Sequence, residues 1–155
     1  MLPLYSGTKL LPSYNFLVTI GQDVFSFSKV SNLVSQIQYE TVTEGGNNNF
    51  PLLFPKQKTS PDTLTLEKGV RTGASDQAFQ SIREGMQVQQ VTILLIRDDK
   101  QDGKKVVKAF YFEKGLIVKR TFSNLDAEKS ELLIETLEIA HSGLVEIALQ
   151  DSSES

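Results

Sequence analysis

Apolar and polar residues alternate with a period of two along most of this 155-residue chain, a pattern that predicts strands far more often than helix. Tyr14 to Gly21 reads as a strand with Phe16, Val18 and Ile20 inward, and Val24 to Val30 reads as its hairpin partner across Gln22-Asp23. Val34 to Val42 sets Gln36, Gln38 and Glu40 on one face and Ile37, Tyr39 and Thr41 on the other. Thr63 to Val70 is extended again. Between these last two segments lie Glu44-Gly45-Gly46-Asn47-Asn48-Asn49-Phe50-Pro51 and Leu52-Leu53-Phe54-Pro55. The pattern predicts that the two segments form a hairpin carrying a long protruding arm.

After a turn at Arg71-Thr72-Gly73-Ala74, Ser75 or Asp76 is placed as an N-cap, and Phe79, Ile82 and Met86 share one face of a helix over residues 76–86. Val88 to Ile96 is too apolar to have a wet face. A charged turn, Arg97 to Lys105, leads into a strand at Val106 to Phe112. A second turn at Glu113-Lys114-Gly115 leads into another at Leu116 to Phe122. A capped turn at Ser123 to Lys129 follows. Ser130 to Ala140 fits helical spacing through Leu133, Leu137 and Ala140, but its alternation and the apolar run from Leu144 to Leu149 favour a long, bent strand. Seven or eight strands, one short helix and an arm make a mainly β chain, a small sandwich or partly closed barrel. The predicted organisation is a flexible leader at 1–13, one β domain at 14–150 and a disordered tail at 151–155. No internal repeat or Gly/Ser-rich linker divides it.

The arm concentrates Phe50, Leu52, Leu53 and Phe54 within five positions. A loop this long is usually functional, and a solvated one has no use for so much apolar surface. Two readings follow: the arm is buried against another chain, or it folds back over its own core.

Composition narrows the function classes. Charged residues at 23% and hydrophobic residues at 39% describe an ordinary globular chain with no apolar run of the ~18 residues that span a bilayer. The leader has no basic segment followed by an apolar one, so it does not read as a signal peptide. The absence of cysteine leaves neither a disulfide framework nor a thiolate site. A formal charge of −3 without a basic cluster argues against a dedicated nucleic-acid binder.

Candidate chemistry is thin. The single histidine, His141, has no nucleophile elbow to serve, and it reads as a surface or hydrogen-bonded structural residue. Asp98 to Gly103 resembles the start of a calcium loop, but its third and twelfth positions are Lys100 and Ala109. On a strand, Glu131 and Glu135 stand ~13 Å apart, wider than glycosidase pairs, so these two and Glu138 read as solvent- or lumen-facing charges. Gly45-Gly46 is not followed by the Gly-Lys-Ser/Thr of a phosphate loop. No catalytic residue, cofactor or metal site is predicted, and the chain does not read as an enzyme.

The order of motifs does carry a resemblance. Phe27-Ser28-Lys29-Val30-Ser31-Asn32-Leu33, Glu44-Gly45-Gly46-Asn47, Leu64-Thr65-Leu66-Glu67-Lys68-Gly69 and the closing Ile134-Glu135-Thr136-Leu137-Glu138-Ile139-Ala140-His141-Ser142-Gly143-Leu144 appear in that sequence. Over roughly residues 14–147 the chain resembles the tail tube family of contractile phages and extracellular contractile injection systems. The closing motif is the most specific part. Departures are Asn32 in place of the motif's Gly, Glu67 in place of a basic residue, Pro55-Lys56 in place of Pro-Gly, and no tryptophan anywhere.

The resemblance implies a structural subunit that forms hexameric rings stacked into an inner tube, with sheath and baseplate proteins as partners and DNA or protein effectors as cargo. It implies assembly in the bacterial cytoplasm and later residence in a virion tail or released particle. It also implies that Gly45, Gly46, Asn47, Phe50, Leu52, Leu53 and Phe54 contact a neighbouring subunit. Gln36, Gln38 and Glu40 are the candidate lumen-facing residues. A tube initiator or baseplate adaptor of the same fold, and a monomeric β-barrel ligand-binding module, remain as alternatives.

Overall fold

The computed structural model describes residues 13–43, 45–46, 50–70, 77–123, 128 and 133–150. The leader before Ser13, the turn and N-cap at 71–76, most of the capped turn after Ser123 and the tail from 151 lie outside the described residues. In chain order the elements are β1 (Ser13–Ile20), β2 (Asp23–Phe27), β3 (Lys29–Ser31), β4 (Gln38–Val42), β5 (Leu52–Lys56), β6 (Asp62–Val70), α1 (Gln77–Gln80), β7 (Gln87–Asp99), β8 (Gly103–Phe122), β9 (Leu133–His141) and β10 (Val145–Glu146). The described residues form ten strands where seven or eight are predicted: the strand expected over 24–30 divides at Ser28, the arm adds β5, the final strand divides into β9 and β10, and the two expected at 106–112 and 116–122 merge into β8.

One sheet of order β2-β1-β7-β8-β9-β6-β3 forms the body, with β10 added on β8. Its two edge strands are consecutive in the chain. β2 pairs with β1, then Ser28 donates its backbone N–H to the carbonyl of Glu67 at 2.9 Å and β3 joins β6. A nine-residue segment therefore ties one edge of the sheet to the other and rolls it into a partly closed barrel. Asn32 ends this segment with φ 63°. Asparagine tolerates that left-handed conformation better than other residues with a Cβ, which explains how it stands where the resembled motif has glycine.

The 20-residue β8 is the spine, paired with β7 on one side and with β9 and β10 on the other. The turn expected at Glu113-Lys114-Gly115 does not exist; the strand runs straight through. Gly115 is there for proximity instead. A Cβ on it would come within 2.8 Å of the Phe112 ring and 2.9 Å of Ile139 Cγ2. Register shifts at Leu95/Ile96 and Ile117/Lys119 leave Val107 and Val118 as extra residues on β8. Such bulges increase local twist and let a strand this long follow a curved wall. The long, bent final strand is interrupted at Ser142-Gly143, where Leu144 turns into the core before β10 continues along the same edge of β8.

The barrel is filled by its own side chains. Val18, Phe27, Leu64, Leu66, Val91, Ile93, Phe112, Ile117, Leu137 and Ile139 are all buried. One end is plugged by α1 and the turn after it: Phe79 packs edge-on against Phe25 (5.5 Å) and Phe27 (5.7 Å), and Ile82 is buried beside it. The helix is shorter than the predicted 76–86 and turns out of helical form after Gln80, so Met86 is exposed rather than in the core. Arg120 on β8 fastens the plug. Its guanidinium donates to the carbonyl of Ile82 at 2.7 Å, lies 5.3 Å from the Phe79 ring and pairs with the Glu135 carboxylate on β9. Glu135 is accordingly buried and not a solvent- or lumen-facing charge. Glu138 is half-buried and lies 3.9 Å from Lys119.

Two stability outcomes follow from the plug. Phe79→Ala is expected to cost about 3–5 kcal/mol in urea unfolding, because a buried ring is replaced by a cavity. Glu135→Ala is expected to cost about 3–5 kcal/mol, because it strands a buried guanidinium. The double change Arg120→Met, Glu135→Leu should recover much of the second loss, and a double variant no more stable than Glu135→Ala would contradict the buried-pair account.

Candidate functional site

The arm is a β-hairpin in its own right. β4 pairs with β5 from Gln38↔Lys56 to Val42↔Leu52, and neither strand pairs with the body. This corrects the predicted hairpin between residues 34–42 and 63–70: the latter segment, β6, lies between β3 and β9. Residues 32–37 are not strand. Pro55 sits in β5, where an edge position of a two-stranded ribbon tolerates the missing N–H.

Directly opposed residues of an antiparallel pair project to the same face. One face of the hairpin therefore carries Val42 and Leu52, then Glu40 and Phe54, then Gln38 and Lys56, grading from apolar at the tip to polar at the base. The other carries Thr41 and Leu53, then Tyr39 and Pro55. Both faces are apolar over much of their length, and neither is covered. Phe50 is 79% exposed, Leu53 65% and Tyr39 64%, and Leu52 and Phe54 are also exposed. None of them belongs to the barrel core, so the arm does not fold back over it. Gly45 and Gly46 lie at the described part of the tip, Gly46 with φ 107°. Glu44 and Asn47 to Asn49 lie outside the described residues.

A polar neck joins this ribbon to the barrel. The Gln36 amide donates to Asp62 Oδ1 at 2.8 Å, and the Gln38 amide donates to Ser60 Oγ at 3.1 Å. Gln38 Oε1 accepts from the Thr59 backbone N–H and hydroxyl. Lys58 forms a close ion pair with Asp62 across one turn of chain. The Lys58 ammonium, aided by Gln36, holds the Asp62 carboxyl below the usual carboxylate range against the opposing effect of burial. The structure thus brings Gln36 and Gln38 together as stitches between the outgoing and returning legs of the arm. Glu40, one step further out, is exposed.

Sequence reasoning missed two parts of this surface. Ile37 (71% exposed) and Tyr39, read as one face of a body strand, add to the apolar arm. His141 is neither at the surface nor hydrogen-bonded. It is buried, stacked on Phe112 at 4.8 Å, and neither ring nitrogen has a partner among the described residues. Burial holds its pKa below the ordinary value, with Asp62 acting in the opposite direction and Lys58 in the same one. Among the described residues no three His, Cys, Asp or Glu side chains group to hold a metal, and no helix is long and apolar enough to cross a membrane. What the geometry offers is a contact surface.

Comparison with known proteins identifies the family and the fold. Residues 12–145 match the family model of the T4-like virus tail tube protein gp19. No curated protein sequence matches the chain. Among solved structures, it is similar to a chain of the PVC extracellular contractile injection system in its sheath-tube complex, at TM-score 0.65 and 19% identity over 90% of this chain and 92% of that one. It is similar to a chain of the anti-feeding prophage tube terminating cap, at TM-score 0.65 and 20% identity over 90% and 91%. A chain of the anti-feeding prophage baseplate follows at TM-score 0.58 and 20% identity over 86% and 91%. At these identities the solved structures establish the fold, and the family match establishes the lineage: the chain belongs to the T4-like virus tail tube protein gp19 family and is a structural tube protein.

Proposed function

We propose that this chain forms hexameric rings that stack into the inner tube of a contractile tail or injection particle, with the arm as the contact that joins one subunit to its neighbours. The observation that carries this reading is the arm itself. The outer part of the ribbon, apolar on both faces and held clear of its own barrel, is dried only by surfaces on two sides, which leaves the polar base free to face the passage. The filled barrel supports the same conclusion by elimination. The barrel interior formed by the described residues is filled by side chains, which favours a conduit around the centre of a ring over one through a single subunit. The role involves no bond chemistry. Many repeated contacts give a rigid wall, and cargo, whether DNA or protein effectors, passes without reacting.

The similar chains come from a sheath-tube complex and from a six-fold symmetrised baseplate, which supports a ring of six, a surrounding sheath and a baseplate at one end. Assembly in the bacterial cytoplasm, followed by residence in a virion tail or a released injection particle, completes the reading. Gly45, Gly46, Asn47, Phe50, Leu52, Leu53 and Phe54 form the intersubunit contact. Gln36, Gln38 and Glu40 line the bore near the neck; the two amides brace the wall, and Glu40 faces the passage, where a ring of like charges discourages a polyanion from adsorbing.

Two experiments test this. Burying Phe50, Leu52, Leu53 and Phe54 removes several hundred Å² of apolar surface from water, on the order of 5–10 kcal/mol gross per subunit. Changing Phe50, Leu53 and Phe54 together to Ser should abolish assembly while leaving the subunit's unfolding midpoint nearly unchanged. Tubes that still form would reduce the arm to a dispensable appendage. Separately, Glu40→Cys in this cysteine-free chain should react with a small maleimide in assembled tubes but be shielded from a bulky polymer maleimide. Rapid labelling by the bulky reagent would place Glu40 on the outer surface.

A further inference from the structure

The only histidine of the chain is buried beside the neck of the arm, and no part of the tube role accounts for it. In the β6–β9 ladder His141 is the direct partner of Asp62. Asp62 is also the residue on which the neck closes: it accepts from Gln36, which precedes the outgoing strand, and pairs with Lys58, which follows the returning one. The imidazole lies flat on Phe112, with planes 20° apart, and both of its nitrogens lack partners among the described residues. The residue opposite His141 on β8 is Gly115, whose missing side chain leaves room for that stack. An open groove of about 480 Å³ is lined by His141 together with Pro61, Gln89, Lys114 and Ser142, so solvent comes close to the buried ring.

We propose that His141 and Asp62 form an acid-operated latch on the neck of the arm. With the imidazole neutral, the Asp62 carboxylate is shared by Lys58 and Gln36 and the two legs are held together. When the imidazole takes up a proton, it becomes a buried cation with two N–H donors and no acceptor. The Asp62 carboxylate, its cross-strand partner, favours the charged form, and turning to it releases Lys58 and Gln36. The charged groups acting on the ring are Asp62, the first residue of β6, and Lys58 before it, while Lys114 from β8 lines the groove. Asp62 favours protonation and Lys58 opposes it. Burial adds to the opposition and keeps the folded pKa below the ordinary 6.5. The closed neck is therefore fully stable above about pH 6.5 and loosens as pH falls through the depressed value.

The consequence for assembly rests on the proposed role of the arm, but the latch is read in the unassembled chain, so failure of one does not imply failure of the other. Amide hydrogen exchange, corrected for intrinsic rates, should show Thr59 and the β4–β5 hairpin losing about tenfold protection relative to β8 between about pH 7.5 and pH 5. His141→Gln should remove that pH dependence. An unchanged wild-type neck, or an equal change in His141→Gln, would overturn the latch. A second reading needs no change at His141. As the sole histidine, its imidazole resonances report one titration, and Lys58→Met should raise its midpoint by about half a unit or more, because Asp62 is then free to pair with it. A midpoint that does not move would show that the carboxylate is not shared, and the proposal would be wrong.

Discussion

The body of this protein depends on the long antiparallel strand β8, because every other body strand takes its register from it directly or through neighbours. An antiparallel strand of 20 residues cannot stay flat in a twisted sheet. Two bulges let it coil, and the coiling brings the sheet's edges close enough for nine residues, 23–31, to span them. Gly115 fits the same constraint. At the point where β8 passes closest to Phe112 and Ile139, there is no room for a side chain. The Arg120–Glu135 pair then seals one end by tying strand to strand and both to the plug carrying Phe79. It is a buried ion pair that is costly to break on one side only, because that strands a buried charge, and for which hydrophobic replacements of similar volume on both sides offset much of the loss.

Filling the barrel has a functional consequence. A tube protein needs a passage, and the interior of this one is occupied by Phe27, Phe112, Ile93 and their neighbours. In the proposed assembly the passage is therefore a property of the ring and not of the subunit. That shifts the demand onto surfaces that join copies, the role proposed for the hairpin of β4 and β5. Its polarity changes along its length: amides, a lysine and a carboxylate at the neck, and apolar residues on both faces above them. The neck keeps the ribbon attached and oriented, while the outer part stands exposed.

Much of this was legible in the sequence, and the exceptions share a cause. β1 was readable because one face is buried and the alternation of Phe16, Val18 and Ile20 is local. The closing motif was readable as extended chain, but the buried positions of Glu135 and His141 were not, since each is set by a partner 15 or more residues distant, Arg120 and Asp62 respectively. Gly115 looked like a turn because glycine signals both reversal and close approach, and only the packed neighbour tells them apart. The arm was visible as an apolar anomaly. Its hairpin was not, because Pro51 before β5 and Pro55 within it demoted that strand and because alternation in residues 34–42 fits any antiparallel partner. Met86 was assigned to the core on helical spacing that ends too early to place it there.

The central claim is that the exposed arm makes the isolated subunit an incomplete object that completes itself with further copies. The most direct measurement is the mass and shape of the purified full-length chain over a range of concentrations, by sedimentation velocity with negative-stain microscopy of the same samples. The account predicts discrete rings, viewed end-on with a central hole, that lengthen into tubes as concentration rises. A chain that sediments as a compact monomer at every concentration, with no rings on the grid, would contradict it.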